Sequence, residues 1–340
     1  MSLIEGGAPR AAHRLHSDAM RPPATLADHI AIARPDHWIK HIFIVPGIVL
    51  AYILAVDGAI LLASNIILGF ISAAAISSAN YVINEWLDAR FDAYHPTKSK
   101  RPAVAKAMSP SMVYLEYALL AAVGLLIAHA ISPTFLIISL VFLLSGVAYN
   151  VEPFRTKDKP YLDITTEALN PPIRVMLGWA MVTPMTLPPS SLVLAYWMGG
   201  AFLMAIKRFA EYRSIVASQG PEVLGAYRRS FRHYTSDSLL VLSFLFALLA
   251  AFFIAVFLIK YRIEYLLSFP LFAALFAVYL RLGLKRDSNA QTPERLFKER
   301  LLVDIVAALV TSLVVLTVVD IPGLAGLSEP HYHRLWPLTP

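Results

Sequence analysis

The chain has 340 residues, of which 57% are hydrophobic and only 15% charged, and its mean hydropathy is +0.61. Soluble domains carry about 25% charged residues, so this composition excludes an ordinary water-soluble protein and points to a bilayer. The absence of cysteine excludes disulfides and thiolate metal ligands. The net charge of +6 follows loop topology and leaves no basic domain for nucleic acid.

Residues 1–33 carry Arg10, Arg14 and Arg21 beside Pro22 and Pro23 without a continuous apolar run. They are expected to form a flexible cytosolic tail, and not a cleaved signal peptide. Nine apolar segments follow, at roughly 41–56, 60–83, 110–131, 134–150, 165–184, 191–210, 239–260, 264–281 and 301–319. Each approaches the ~20 residues that cross ~30 Å of hydrocarbon. Backbone amides must pair internally there, so the segments are expected as helices. The fifth is the weakest, with Glu167, Pro171, Pro172 and Arg174 inside it. The expected fold is an all-α membrane protein with nine transmembrane helices over 34–320 and a short non-cytosolic tail, 321–340, holding His331 and His333.

Most of the 29 Lys and Arg residues fall before the first segment and in the loops after the second, fourth, sixth and eighth. The alternate loops are short and nearly bare. The positive-inside rule then places the N-terminus and every basic loop in the cytoplasm, as in a multi-pass protein of the cell (inner) membrane. The long basic loops are also where functional residues are expected.

The second segment ends in a stripe of Asn84, Asp88 and Asp92 at i, i+4 and i+8, bordered by Glu85. Clustered carboxylates repel, and acids at a helix C-terminus oppose the macrodipole. A divalent cation would resolve both, and oxygen ligands suit Mg²⁺, which keeps waters and bridges to phosphates. A solvated helix end is the plainer alternative. His95-Pro96-Thr97-Lys98-Ser99-Lys100-Arg101-Pro102 follows. Acids for a metal followed by bases for phosphate oxygens fit Mg²⁺–diphosphate, while membrane anchoring also explains the bases.

The fourth segment ends at Tyr149-Asn150; Arg155 and Lys157 follow, and then Asp163, Glu167, Asn170 and Arg174 at helical spacing. Ionisable groups in a membrane segment mark a cavity or a buried pair. The sixth segment ends in Lys207-Arg208 with Glu211 following, and Lys207 and Glu211, at i and i+4, read equally as a surface salt bridge. Before the first segment, Trp38 is a membrane-edge aromatic and Lys40 stands within reach of a phosphate.

Together these motifs resemble the UbiA superfamily of intramembrane prenyltransferases over roughly residues 34–320. That family has nine helices, a cytosolic-side cavity and two Asp-rich motifs that bind Mg²⁺ and a diphosphate. Its Asn-Asp-x-x-Asp-x-x-x-Asp motif reads Asn84-Glu85-x-x-Asp88-x-x-x-Asp92 here. The decaprenyl-phosphate phosphoribosyltransferase branch is similar at three further signatures: Arg34-Pro35-x-x-Trp38-x-Lys40, His95-Pro96-x-Lys98-x-x-Arg101-Pro102 and Lys207-Arg208-x-x-Glu211. The second Asp-rich region departs from that branch, because Ala168-Leu169-Asn170-Pro171-Pro172 replaces a Gly- and Arg-rich stretch.

The resemblance implies Mg²⁺ on Asn84, Glu85, Asp88, Asp92 and Asp163, with Asp88, Asp92 and Asp163 as catalytic acids. It implies transfer of phosphoribosyl from phosphoribosyl diphosphate to a polyprenyl phosphate. The expected substrate contacts are Lys40, Asn84, Lys98, Lys100, Arg101, Tyr149, Arg155, Lys157, Glu167, Asn170, Arg174, Lys207, Arg208 and Glu211. Two alternatives stay open: prenyl transfer from a prenyl diphosphate to an aromatic or lipid acceptor, and a transporter with midplane charges. A homo-oligomer is also left open.

Overall fold

A computed structural model describes residues 21–54, 63–93, 98–285, 288, 296 and 298–327. Arg10, Arg14, His95, Pro96, Thr97, His331 and His333 lie outside these residues. The described chain is helical, and its β-type pairing is a single isolated bridge between Pro23 and Ala107.

In chain order the helices are α1 (Leu26–Ile32), a 3₁₀ stretch (Pro35–Ile44) running into α2 (Val45–Leu54), α3 (Ala63–Asp92), α4 (Pro102–Ala105), α5 (Pro110–Ile131) and α6 (Pro133–Asn150). Then come α7 (Leu162–Glu167), α8 (Asn170–Val182), α9 (Ser190–Gln219), α10 (Leu224–Tyr227), α11 (Ser236–Tyr261), α12 (Phe269–Leu284) and α13 (Arg300–Val318). Among the described residues eight helical stretches are long and apolar enough to cross a membrane. Ile67, Leu119, Leu126, Val241, Phe244 and Val318 stand exposed on them. Apolar exposure on this scale suits a lipid-facing surface and not water.

The fifth expected span is not one long helix. It divides at Ala168-Leu169 into α7 and α8. Pro171 and Pro172 sit in the first turn of α8, where a missing N–H costs nothing, so they start a helix and do not kink one. Alone, α8 spans only ~20 Å; α7 and α8 together reach ~30 Å. This stretch is not among the eight long, apolar helices, so the expected count of nine is not reached among the described residues.

The tail expectation fails for its last residues. Thr25 caps α1 with a reciprocal capping box to Asp28. Ile32 is fully buried with Val82, Ala103, Met108 and Val113, and His29 meets Glu116 at 2.9 Å. One short apolar anchor and a cap outweigh the polar composition that suggested a tail.

By internal contacts the chain divides into two units. Unit 1 holds residues 1–188 and 222–233. Its core joins Ile44, Ile76, Phe135, Phe142, Ile173 and Leu177 from α2's entry, α3, α6 and α8. The helices α2 and α8 come very close: a Cβ on Gly47 would strike the Val175 carbonyl, and one on Gly178 the Ile44 carbonyl. Small residues at such crossings let backbones touch. Unit 2 holds 189–221 and 234–340. There α9 packs mainly along α11, and Arg262 ties to the Val319 carbonyl and Asp320 at 2.9 and 2.7 Å.

Candidate active site

At 30 residues, α3 is ~45 Å long, well beyond the ~30 Å of hydrocarbon. Its last turns can therefore carry acids outside the apolar layer. Asn84 donates to Asp88 at 3.4 Å and to the Asn150 amide oxygen at the end of α6 at 2.5 Å. Lys157 Nζ donates to the same Asn150 oxygen at 2.8 Å and pairs with Asp88 at 2.5 Å. Arg155 reaches Asp88 at 3.0 Å and Asp158 at 2.9 Å. A positive-φ backbone at Arg155, φ 29, turns the chain after α6 so that both bases reach the acid.

Arg155 and Lys157 are nearly completely buried. Burial pulls the Lys157 ammonium down to about 8, with Arg155 and Arg228 acting the same way and Asp88 opposing them. Such a lysine is a ready donor to an anion that displaces or shares its acid.

A third segment completes the cluster. Asp163 is fully buried; Ser230 Oγ donates to it at 2.9 Å and Arg228 lies at 3.9 Å. Arg228 also approaches the Tyr149 hydroxyl at 3.5 Å, and that hydroxyl donates to Glu167 at 2.8 Å. Arg229 reaches Asp158 at 3.3 Å. The segment 222–233 belongs to unit 1 although its neighbours on both sides belong to unit 2. At the last turn of α3, Asp92 takes Arg101 at 2.5 Å and Lys98 at 3.9 Å. The stripe of Asn84, Asp88 and Asp92 is thus met by bases from three stretches of chain.

Glu85 stands apart from that stripe. It is 2% exposed, accepts two hydrogen bonds from Arg34 at 3.1 and 2.8 Å and lies 3.5 Å from the Ala103 N–H. Its charge is therefore engaged in bracing the Arg34-Pro35 entry and α4. Among the other expected contacts, Lys100 is exposed. Lys40 lies beside His37 at 3.1 Å and over the Tyr81 ring. Asn170 and Arg174 sit together on α8 at 3.4 Å. Lys207, Arg208 and Glu211 are in unit 2, where the pair that forms is buried and joins Arg208 to Glu211 at 3.0 Å, not the surface pair expected between Lys207 and Glu211.

Arg228, Ser230, Asn150 and Asp158 were not singled out from the sequence. Arg228 was counted only as a topological charge, and a serine in a long loop carries no signal of its own.

Among the described residues no three His, Asp or Glu side chains gather within reach of one ion. Mg²⁺ does not require an all-protein cage: one or two carboxylates, waters and substrate phosphates suffice. Asn84, Asp88, Asp92 and Asp163 supply only oxygen donors, which fits that ion.

The UbiA prenyltransferase family model matches residues 43–302. A decaprenyl-phosphate phosphoribosyltransferase of Mycolicibacterium smegmatis is 30% identical over 228 residues, covering 64% of this chain and 66% of that protein, just under two thirds. One from Mycobacterium tuberculosis is 27% identical over 225 residues, covering 64% and 70%. Among solved structures, a UbiA homolog from Archaeoglobus fulgidus bound to DMAPP and Mg²⁺ aligns with a TM-score of 0.64 at 18% identity, covering 86% of this chain and all of that one. A UbiA homolog from Aeropyrum pernix K1 aligns at 0.57 and 17% identity, covering 81% and 97%. These structural likenesses carry the fold.

Proposed function

The chain belongs to the UbiA prenyltransferase family, and on that premise we propose that it transfers 5-phosphoribosyl from phosphoribosyl diphosphate to a polyprenyl phosphate, using Mg²⁺. The carrying observation is the ring of bases round the α3 acids: Arg155, Lys157 and Arg228 near Asp88, and Lys98 and Arg101 at Asp92. One diphosphate with its metal does not use so many. A donor with a second phosphate would.

In this reading Asp88, Asp92, Asn84 and Asp163 hold the metal, which when bound neutralises the leaving diphosphate. Lys157, Arg155 and Arg228 stand where they would hold phosphate oxygens. Their job is positioning and charge stabilisation. An acceptor phosphate oxygen attacks C1 of the ribose; the C1–O bond to diphosphate breaks, and diphosphate departs with the electron pair. Tyr149, fixed by Glu167, orients one wall. Glu85 is assigned to bracing Arg34 and not to the metal. The N-terminus and the basic loops face the cytoplasm, where a soluble donor arrives while the lipid acceptor stays in the bilayer.

The reading is tested by incubating purified protein with Mg²⁺, labelled phosphoribosyl diphosphate and polyprenyl phosphate, beside a prenyl diphosphate control. Labelled lipid is expected only with the first donor and is lost on chelation. Product from the prenyl donor alone would replace this reading with prenyl transfer; flux without any product would favour a transporter.

A further inference from the structure

Inside unit 1, away from the acid stripe, α8 carries a guanidinium with no acid to meet it. Arg174 is 4% exposed. Its polar partners are the Asn170 amide oxygen at 3.4 Å and the Tyr81 hydroxyl, and its flat face lies 5.1 Å from the Phe142 ring centroid. Its Nε has no partner, and no carboxylate reaches it among the described residues. His41 is close enough to feel its charge and is buried too. His41 Nδ1 is also without a partner, while Nε2 faces Ser77 at 3.4 Å. Ser77 Oγ donates its one proton to the Ala74 carbonyl at 3.0 Å, so His41 Nε2–H donates to Ser77 and Nδ1 is an unused acceptor, open to the P–OH of a monoanionic phosphate monoester.

A buried ion is tolerated when it is paired and hydrogen-bonded, and an arginine held in apolar surroundings without an anion is strongly disfavoured. The fork of a guanidinium matches phosphate oxygens. Along α3, Tyr81 lies seven residues before Asp88, ~10 Å deeper along the helix axis. A diphosphate held at Asp88 would therefore leave Arg174 to a different phosphate. An open, apolar groove of about 560 Å³ is lined by His41 together with Trp38, Ile42, Phe70 and Ala74; Arg174 does not line it, so His41 is the residue the two share. Its wall suits a hydrocarbon chain whose charged head ends at the histidine.

We infer that Arg174, with His41 beside it, is a phosphate monoester site within the membrane-embedded part of unit 1, and that the acceptor lipid's headgroup is its occupant. The identity of the bearer rests on the phosphoribosyl-transfer reading; the pocket itself does not. The donor's 5-phosphate offers the same chemistry and is the second source to be distinguished. A plain prenyl diphosphate has no second phosphate to place there.

The test is binding without Mg²⁺ and without turnover. The thermal midpoint of the full chain in detergent is measured with farnesyl phosphate, farnesol or ribose 5-phosphate, for wild type, Arg174→Met, Arg174→Lys and Asp88→Asn. Farnesyl phosphate is expected to raise the wild-type and Asp88→Asn midpoints by several degrees, and farnesol to do nothing. The shift should vanish in Arg174→Met and need at least fivefold more ligand in Arg174→Lys. Ligand-free Arg174→Met should melt at or above wild type, since an isosteric apolar residue removes an unpaired buried charge.

A shift from ribose 5-phosphate in place of farnesyl phosphate would support the pocket and overturn the lipid assignment. Equal shifts in wild type and Arg174→Met, or none from either phosphate, would overturn the site. So would a ligand-free Arg174→Met that melts well below wild type, because the arginine would then be structural. Failure of the transfer assay alone would sink the reaction and leave these binding results standing.

Discussion

The end of α3 and the middle of α8 handle charge in opposite ways. At the end of α3 every carboxylate already has a cation: Asp88 has Arg155 and Lys157, Asp92 has Arg101, and Glu85 has Arg34. On α8, Arg174 has a cation's charge and no carboxylate. The first arrangement is balanced and can exchange partners when an ion pair of metal and diphosphate enters. The second is balanced only when an anion enters. Even within α3 the contrast holds at three residues' distance, since Glu85 is buried in a fixed pair while Asp88 sits where bases from separate loops converge.

The largest effect should come from Asp88→Asn. Mg²⁺-dependent transfer is expected to fall on the order of 10³-fold, equivalent to ~4 kcal/mol, with a lower melting midpoint because the buried Lys157 and Arg155 lose this carboxylate. Full activity would remove Asp88 from the metal site. Next is Glu85→Gln, which leaves Arg34 without its anion and should lower unfolding stability by roughly 3 kcal/mol. If that variant instead keeps its stability and loses only metal dependence, Glu85 is a ligand and the contrast within α3 collapses. Arg228→Met should raise KM for the diphosphate donor about 10–100-fold, in line with a lost charged hydrogen bond, with a smaller change in kcat. An unchanged KM would return Arg228 to topology alone. The smallest effect is expected from Gly178→Ala, whose Cβ meets the Ile44 carbonyl and should cost about 1–2 kcal/mol in thermal unfolding.

Much of this was legible in the sequence because two periodicities are strong. Apolar runs gave the helices, and the four-residue spacing of Asn84, Asp88 and Asp92 gave one face of α3. The bases at 155 and 157 were legible by type and order. What escaped were contacts made by folding alone. The Glu85–Arg34 pair joins residues 51 apart, so Glu85 read as a metal ligand from its place in the motif. Ser230 and Arg228 enter the site through a loop bracketed by helices of the other unit, and no local pattern announces that. The α7–α8 break was visible as Pro171-Pro172, but whether prolines kink a helix or begin one depends on where the preceding turn ends.

The close seat of α8 on α2 has a consequence for how the protein is made. A segment with an arginine near its centre partitions into hydrocarbon at a cost of roughly 2.5–3.5 kcal/mol for that residue. It cannot be released from the translocation machinery into lipid as readily as α5 or α11. Gly47 and Gly178 give it a prepared surface, so it should enter the bilayer as a latecomer leaning on earlier helices. In a glycosylation-tag reporter, residues 160–186 alone should insert poorly and should insert well behind residues 21–159. Efficient insertion of the isolated segment would show that α8 needs no escort.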